Sequence, residues 1–472
     1  MRVSDLLART PRVAVRALLS RESDPIVQSL AFDSRDVVDG ALFFCLPGER
    51  VDGHHFAAAA VAAGAVALVV ERPVDVEPGI VQIVVDNARV AMARLASAYF
   101  ADPSEALTVL GVTGTNGKTT TAHVLACALG ALGRRTGVIG TLSGAKTTPE
   151  APDLQRRLAG FVTDGYDAVA MEVSSHALAL DRALGTRFAV AVFTNLGHDH
   201  LEFHGTPERY FAAKARLFEP DLSDRGVVNV DDVHGRLLVD AASIPCRGFA
   251  FADAEDVEIG AFSHAYTWRG RRVEVGLGGR FNVMNTLAAA TALSELGHAD
   301  ADIATALAAT TPVPGRFEPV IAGQPFAVVV DYAHTPDALA AVLDAARGVA
   351  GHGRLIAVFG CGGDRDQHKR PEMGAIAAER ADLVVVTSDN PRSEDPLVII
   401  NDVISGVPAN YRDRIAVEPD RHDAIASALA AARHGDVVVI AGKGHETTQT
   451  FGASVMPFDD RAVARELLEA RP

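Results

Sequence analysis

Apolar residues recur along this chain in short unbroken runs, each closed off by glycine, proline or a polar cluster. Runs of that length suit strands buried on both faces of a parallel sheet, because a half-exposed strand would alternate apolar with polar. Strands are predicted at 41–46, 65–70, from 107 onward (LTVLGVTG), 168–173, 188–193 and 227–230. Helical patterns fall between them, at 118–132 and 207–218. A proline-rich segment near 311–319, TPVPGRFEP, reads as an interdomain hinge. Beyond it a second series of strands is predicted at 326–330, 355–359, 383–387 and 437–441. Each of these runs into a polar, turn-rich loop: DYAHTPD, GCGGDRD, SDNPRSEDP and GKGHETTQ.

Strands that alternate with helices predict an α/β fold with doubly wound parallel sheets. Ligands of such sheets bind beyond the carboxyl ends of the strands, so the four loops are expected to converge on one crevice. At roughly 150 residues per domain, a chain of 472 residues accommodates three. The reading is a small α/β domain over 1–103, a central domain of the P-loop ATPase type over 104–312, and a Rossmann-like domain over 313–472.

Hydrophobic residues at 48% and charged residues at 22% exclude wholesale disorder. The net charge of −16 argues against a nucleic-acid surface, so any phosphate site must be local. The four cysteines are scattered with no CxxC pair, which excludes a disulfide scaffold or zinc ribbon and fits a reducing compartment. The first twenty residues carry scattered charges, unlike a signal peptide, and the longest apolar run, 57–70, is too short to span a bilayer. A cytoplasmic protein without membrane insertion is expected. Only five of the 44 basic residues are lysine: Lys118, Lys146, Lys214, Lys369 and Lys443. Lysine is kept where a compact charge or a deprotonatable amine is needed; codon usage explains the same bias equally well.

Candidate chemistry begins at GVTGTNGKTT, residues 111–120, set between a strand and a helix. Gly114, Thr115, Asn116, Gly117, Lys118, Thr119 and Thr120 form a candidate phosphate cradle, with Lys118 on the phosphates and the Thr119 hydroxyl on Mg²⁺. Val112 stands where the standard motif has its first glycine. These features predict ATP binding. Glu172 ends a strand, and His200 lies in the loop after the next one, amid His198, Asp199 and His204. On adjacent strands about 5 Å apart the two could share a metal. Ser174, Ser175 and His176 lack the G-x-S-x-G elbow of a hydrolase, so substrate contact is the better reading. Arg392 offers a planar fork for a carboxylate and Glu446 a partner for an ammonium, a combination suited to an amino acid.

Five segments together, GTNGKTTT at 114–121, MEVSSHAL at 171–178, TNLGHDHLEFHG at 194–205, DNPR at 389–392 and GKGHE at 442–446, resemble the Mur ligase family of ATP-dependent amide-forming enzymes. The likeness extends through all three domains and points to the branch that adds meso-diaminopimelate. It implies ATP and Mg²⁺ as cofactors, an acyl-phosphate intermediate, and catalytic roles for Lys118, Glu172, His200 and Lys214. It further implies Mg²⁺ ligation by Thr119, Glu172, His200 and an N-carboxylated Lys214, with adenine and ribose near Asn285, Arg316 and Asp331. The UDP-N-acetylmuramoyl dipeptide is implied at Ser34, Glu49, Arg50, Val51, Thr147, Thr148, Ser174 and Arg182. Glu49 stands where some members have histidine, and Leu180 where some have glutamine. Diaminopimelate is implied at Arg365, Asp389, Asn390, Pro391, Arg392, Gly442 and Glu446. The implied partners are small molecules alone, with a monomeric chain. The rivals are a lysine-adding ligase, a folylpolyglutamate synthetase and a nucleotide-binding scaffold without turnover; lysine would leave Arg392 unpaired.

Overall fold

The computed structural model describes residues 1–20, 23–48, 51–197 and 199–471. Glu49, Arg50 and His198 therefore lie outside the described residues. Three separate sheets carry the chain. The first has strands β1 (Val15–Leu19), β2 (Ser29–Ala31), β3 (Ala41–Phe44), β4 (Ala65–Val70) and β5 (Val81–Val85), in the order β1-β5-β4-β3-β2. All its neighbours are parallel except β1 and β5. The helix Ala88–Tyr99 starts where the Asn87 side chain accepts the amides of Arg89 and Val90, and it buries Ala88, Ala91, Met92 and Leu95.

The second sheet is wholly parallel: β6 (Thr108–Thr113), β7 (Thr136–Ile139), β8 (Ala168–Glu172), β9 (Val190–Phe193), β10 (Gly226–Asn229) and β11 (Cys246–Phe249), in the order β11-β10-β9-β6-β8-β7. β6, β8, β9 and β10 lie within one or two residues of the expected runs, whereas β7 and β11 fall where no strand was expected. One expectation fails. β8 and β9, consecutive in sequence, do not pair; each pairs with β6, which lies between them. A second finding was not anticipated: β12 (Glu255–Ile259), β13 (His264–Trp268) and β14 (Arg271–Val275) form a small antiparallel sheet. Alternating burial along β13 and the positive φ of Arg269 and Gly270 at the hairpin turn give its physical basis. The predicted helix at 207–218 is a helix Pro207–Ala215 followed by a 3₁₀ turn Arg216–Phe218.

The third sheet comprises β15 (Glu318–Pro319), β16 (Ala327–Asp331), β17 (Leu355–Phe359), β18 (Leu383–Val386), β19 (Ile415–Val417) and β20 (Val437–Ala441), in the order β15-β16-β20-β17-β18-β19. Only β15 runs antiparallel. β20 inserts between β16 and β17, so the four expected loops do emerge side by side from one edge. A hairpin, β21 (Thr448–Phe451) and β22 (Ser454–Pro457), follows. Among the described residues no helix is long and apolar enough to cross a membrane.

Two arginines with fully buried side chains tie these loops together. Arg421 forms a bidentate pair with Asp460, 2.7 Å at each oxygen, and also donates to the carbonyls of Ser388 (3.2 Å) and Ala441 (2.9 Å). It thereby clamps the ends of β18 and β20. Arg370 donates to Glu394 and Asp402 at 2.8–2.9 Å and to the Gly362 carbonyl at 3.3 Å, joining the β17 and β18 loops. Removing one member of a buried pair strands the other charge. Arg421→Met is expected to destabilise the carboxyl-terminal domain by about 3–5 kcal/mol in urea unfolding; a loss below about 1 kcal/mol, the scale of a surface pair, would show that the loops hold themselves.

Candidate active site

Gly114, directly after β6, has φ +151, and a β-carbon there would collide with the Thr194 hydroxyl. Without one, the loop lies against the segment that follows β9. Thr115 donates its amide to the Asn195 carbonyl at 2.9 Å, Asn116 to the Asn195 side chain at 2.9 Å, and the Thr194 hydroxyl to the Asn116 carbonyl at 2.6 Å. The helix Lys118–Ala131 then begins, with its amino end facing the loop. Lys118 folds back, its Nζ donating to the carbonyls of Gly114 (2.9 Å) and Thr115 (2.8 Å). Burial pulls its ammonium below the ordinary range.

Lys214, on the helix Pro207–Ala215, reaches the same carbonyl. Its Nζ donates to Gly114 at 2.7 Å and lies 4.4 Å from the centre of the Tyr210 ring. The residue is 1% exposed, and among the described residues no carboxylate comes within ion-pair distance of the amine. Burial, and then the neighbouring Lys118 charge, push its pKa well down. A neutral amine is the form that can take up CO₂.

Glu172 is 2% exposed at the end of β8. It accepts the Thr119 hydroxyl at 2.9 Å, the Thr141 amide at 2.7 Å and the Thr141 hydroxyl at 3.2 Å, and among the described residues it has no cationic partner within ion-pair distance. A carboxylate and a hydroxyl in contact, beside a phosphate cradle, are the hard oxygen donors that Mg²⁺ takes together with phosphate and water. His200 joins the same cavity, although its strand is not next to that of Glu172. The segment after β9 crosses the phosphate loop to bring it there, and His200 itself has φ +56. Its ring packs edge-on against His176, 4.6 Å between centres. Burial holds His176 neutral, with its pKa lowered to about 4.

These groups line one cavity of about 420 Å³ between the second and third sheets, together with Thr115, Asn116, Thr119, Thr120, Thr147, Ser174, Asn285, Arg316 and Asp331. Phe281, Met284, Ala338 and Val342 supply an apolar wall. Arg316 donates to the Thr119 hydroxyl at 3.3 Å and stacks over Tyr332, 4.4 Å from the ring centre. Asp331 accepts the amides of Phe317 and Ala333, both at 2.7 Å, yet burial raises its pKa to about 6.

A second cluster lies at the ends of β18 and β20. Asn390 donates to Glu446 at 2.9 Å, and the fully buried Lys443 reaches Glu446 (3.2 Å), Asn390 (3.4 Å), Asp389 (3.7 Å) and the Thr448 carbonyl (2.6 Å). Arg392, at φ +53, donates to the Gly363 carbonyl at 2.6 Å, and both it and the exposed Arg365 flank Gly362. Gly442 faces Asp389, and Pro391 is buried beside them.

Residues 112–293 match the Mur ligase middle domain, 315–444 the Mur ligase, glutamate ligase domain, and 27–110 the Mur ligase family, catalytic domain. A protein of Streptomyces avermitilis named UDP-N-acetylmuramoyl-L-alanyl-D-glutamate--2,6-diaminopimelate ligase is 46% identical, over 95% of this chain and 94% of its own. One of the same name from Geobacillus kaustophilus is 45% identical over 95% and 96%. The chain belongs to the Mur ligase family. A solved structure of a ligase of that name superposes with a TM-score of 0.68 at 35% identity, covering 94% of this chain and 95% of the other. A Mycobacterium tuberculosis folylpolyglutamate synthase complexed with ADP, 18% identical at a TM-score of 0.60, shares the fold alone.

In this Mur ligase the residues expected at the UDP-linked substrate divide into two groups. Thr147, Thr148 and Ser174 adjoin the cavity: Thr147 is 3.1 Å from the Thr141 hydroxyl, and the Thr148 hydroxyl contacts the Glu172 carbonyl and the Ser174 amide, each at 3.0 Å. Ser174 is partly committed, because its side chain caps the helix Ser175–Ala179. Ser34, in a short 3₁₀ turn, and the exposed Val51 belong to the first sheet's loops and do not line the cavity. Arg182 instead pairs with Glu150 at 2.9 Å. Sequence reasoning missed Tyr332, His334 and Lys443. Tyr332 and His334 follow Asp331 in the loop DYAHTPD, and Lys443 belongs to the rare lysines.

The titration of Asp331 provides a check. Its folded pKa is raised above 3.8 to about 6, so burying it costs progressively more stability as pH rises through that interval. The melting temperature of Asp331→Asn, relative to the unsubstituted protein, is expected to rise between about pH 4 and 6 and level off above; a flat difference would show a carboxyl that ionises normally.

Proposed function

We propose that this chain joins the amine of meso-diaminopimelate to the D-glutamyl side-chain carboxylate of UDP-N-acetylmuramoyl-L-alanyl-D-glutamate, converting ATP to ADP and phosphate. The observation that carries the reading is a continuous path from phosphate loop to acceptor loops. Thr119 contacts Arg316, Arg316 stacks on Tyr332, and Tyr332 packs on His445, 5.0 Å between ring centres, one residue from Glu446. A carboxylate oxygen attacks the γ-phosphorus, the bond to the β-phosphate oxygen breaks, and ADP leaves an acyl phosphate. The amine then attacks the acyl carbon; phosphate departs as the amide forms and the amine loses its proton.

Lys118 exchanges its two carbonyl partners for phosphate oxygens, and Arg316 neutralises charge on the same group. Mg²⁺, when bound, offsets charge on the phosphates; Thr119, Glu172, His200 and the carbamate of Lys214 would hold it. The carbamate arises when the neutral Lys214 amine bonds to the carbon of CO₂ and sheds a proton, turning a buried amine into an anionic oxygen ligand. Asn285 and Asp331 adjoin the nucleotide, and Arg365, Asp389, Asn390, Arg392, Gly442 and Glu446 surround the far carboxylate and amine of the acceptor. The names of the curated relatives favour diaminopimelate over lysine.

ADP release from full-length protein, with the UDP-muramoyl dipeptide and either acceptor, tests the assignment. Diaminopimelate is expected to exceed lysine by about 10⁴-fold in kcat/KM, the discrimination of a site built around a polar group. Arg392→Ala should remove that preference, and equal rates in the unsubstituted enzyme would overturn the assignment. Lys214→Arg, which keeps a cation but cannot form a carbamate, should abolish turnover while leaving the fold intact by circular dichroism; retained turnover would exclude a carbamate role.

A further inference from the structure

The turn that follows β7, residues 140–143, is pressed against the Glu172 side chain. A β-carbon on Gly140 would lie 2.2 Å from Glu172 Oε1. Ser143 pins the turn: its hydroxyl accepts the Gly140 amide at 2.8 Å, and its own amide donates to the Gly140 carbonyl at 3.0 Å. Thr141 thereby meets both oxygens of the carboxylate, its amide on Oε1 at 2.7 Å and its hydroxyl on Oε2 at 3.2 Å. Among the described residues, Thr119 and Thr141 are the donors to that carboxylate, and Thr141 alone reaches both of its oxygens.

The Thr141 hydroxyl also lies 3.1 Å from that of Thr147, and both threonines line the cavity. A metal-binding carboxylate accepts hydrogen bonds and cannot donate them. The Thr141 proton is therefore directed at Glu172, and the Thr141 oxygen accepts the proton of Thr147. One residue on, the Thr148 hydroxyl donates to the Glu172 backbone carbonyl at 3.0 Å, so the same glutamate is braced at its main chain as well. We propose that Thr141 is a positioning residue, which aims the Glu172 carboxylate at the divalent cation beside the phosphate loop. This rests on the ligase reading above for the presence of that cation. Thr119 is itself a proposed metal ligand, so Thr141 supplies the hold on Glu172 that stands outside the ligand set. Without the Thr141 hydroxyl, Oε2 keeps the Thr119 contact alone, and that hydroxyl is needed at the ion. The carboxylate then turns about its remaining backbone bond at Oε1, and this freedom is lost again each time a cation binds. Hydrogen-bond partners of ligating carboxylates tune metal affinity in this way.

Mn²⁺ serves as the probe, titrated by electron paramagnetic resonance into full-length protein with saturating ADP. Thr141→Val keeps the shape of the side chain and the backbone amide but removes the hydroxyl; it should weaken Mn²⁺ binding by about 10–100-fold. Thr141→Ser should restore most of that affinity, and Thr141→Ala, a second variant without the hydroxyl, should match Thr141→Val. In turnover, the Mg²⁺ concentration for half-maximal ADP release should rise by the same factor, whereas a purely structural defect would lower the rate at every Mg²⁺ concentration. Unchanged Mn²⁺ affinity in both hydroxyl-free variants, or an equal loss in Thr141→Ser, would overturn the proposal. If the unsubstituted enzyme binds Mn²⁺ yet releases no ADP with the dipeptide and diaminopimelate, the ligase reading fails while the titration still decides the role of Thr141. No Mn²⁺ binding to the unsubstituted protein with ADP would remove the proposal itself.

Discussion

Two lysine amines, those of Lys118 and Lys214, converge on the one carbonyl of Gly114, buried and with no carboxylate in ion-pair contact among the described residues. Two like charges in so dry a place would repel strongly, and burial together with the Lys118 charge drives the Lys214 amine towards its neutral form. The chain holds them there because β6, the loop after β9 and the helix Pro207–Ala215 fix the backbone around them. Among the described residues the hydrogen-bond acceptors of the two amines are backbone carbonyls alone. A protein of net charge −16 thus gathers Lys118, Lys214 and Arg316 in one cavity.

The loop after β20 and the loop after β6 are joined through Gly315 and its neighbour Arg316. At φ +64 its backbone lies against Gly444 and His445, and a β-carbon would collide with both. The next residue, Arg316, reaches back to Thr119. One tight turn therefore ties the loop GKGHE to the Gly-rich loop after β6, and Tyr332 fills the space between. The helix Pro336–Ala350 adds a second approach, since Asp337 stands close to Gly197 of the segment that follows β9.

Much of this was legible from sequence because the signals were local. A buried strand ending in a Gly-rich turn announces itself, and so do loops such as DNPR and GKGHE. Spatial order was not legible. The reading placed Glu172 and His200 on neighbouring strands, whereas β6 separates them, because sheet order depends on long-range packing that no local pattern encodes. The antiparallel β12–β14 sheet was passed over although HAYTW alternates; the doubly wound pattern on either side outweighed it. The scarcity of lysine proved informative. Lys118 and Lys214 line the cavity, Lys369 donates to the His334 carbonyl at 2.8 Å, Lys443 joins the loops after β18 and β20, and Lys146 pairs with Glu150.

The insertion of β20 between β16 and β17 has a consequence for biosynthesis. Residues 437–441 form a strand at the middle of the third sheet, yet they are synthesised after every other strand of that sheet. Until then, β16 and β17 have nothing to pair through, and the closure is a long-range one that folds slowly. The first two domains are free to compact cotranslationally. The third sheet stays unfinished until that strand emerges, so a chain terminated before residue 437 lacks its middle strand and the loop that follows it.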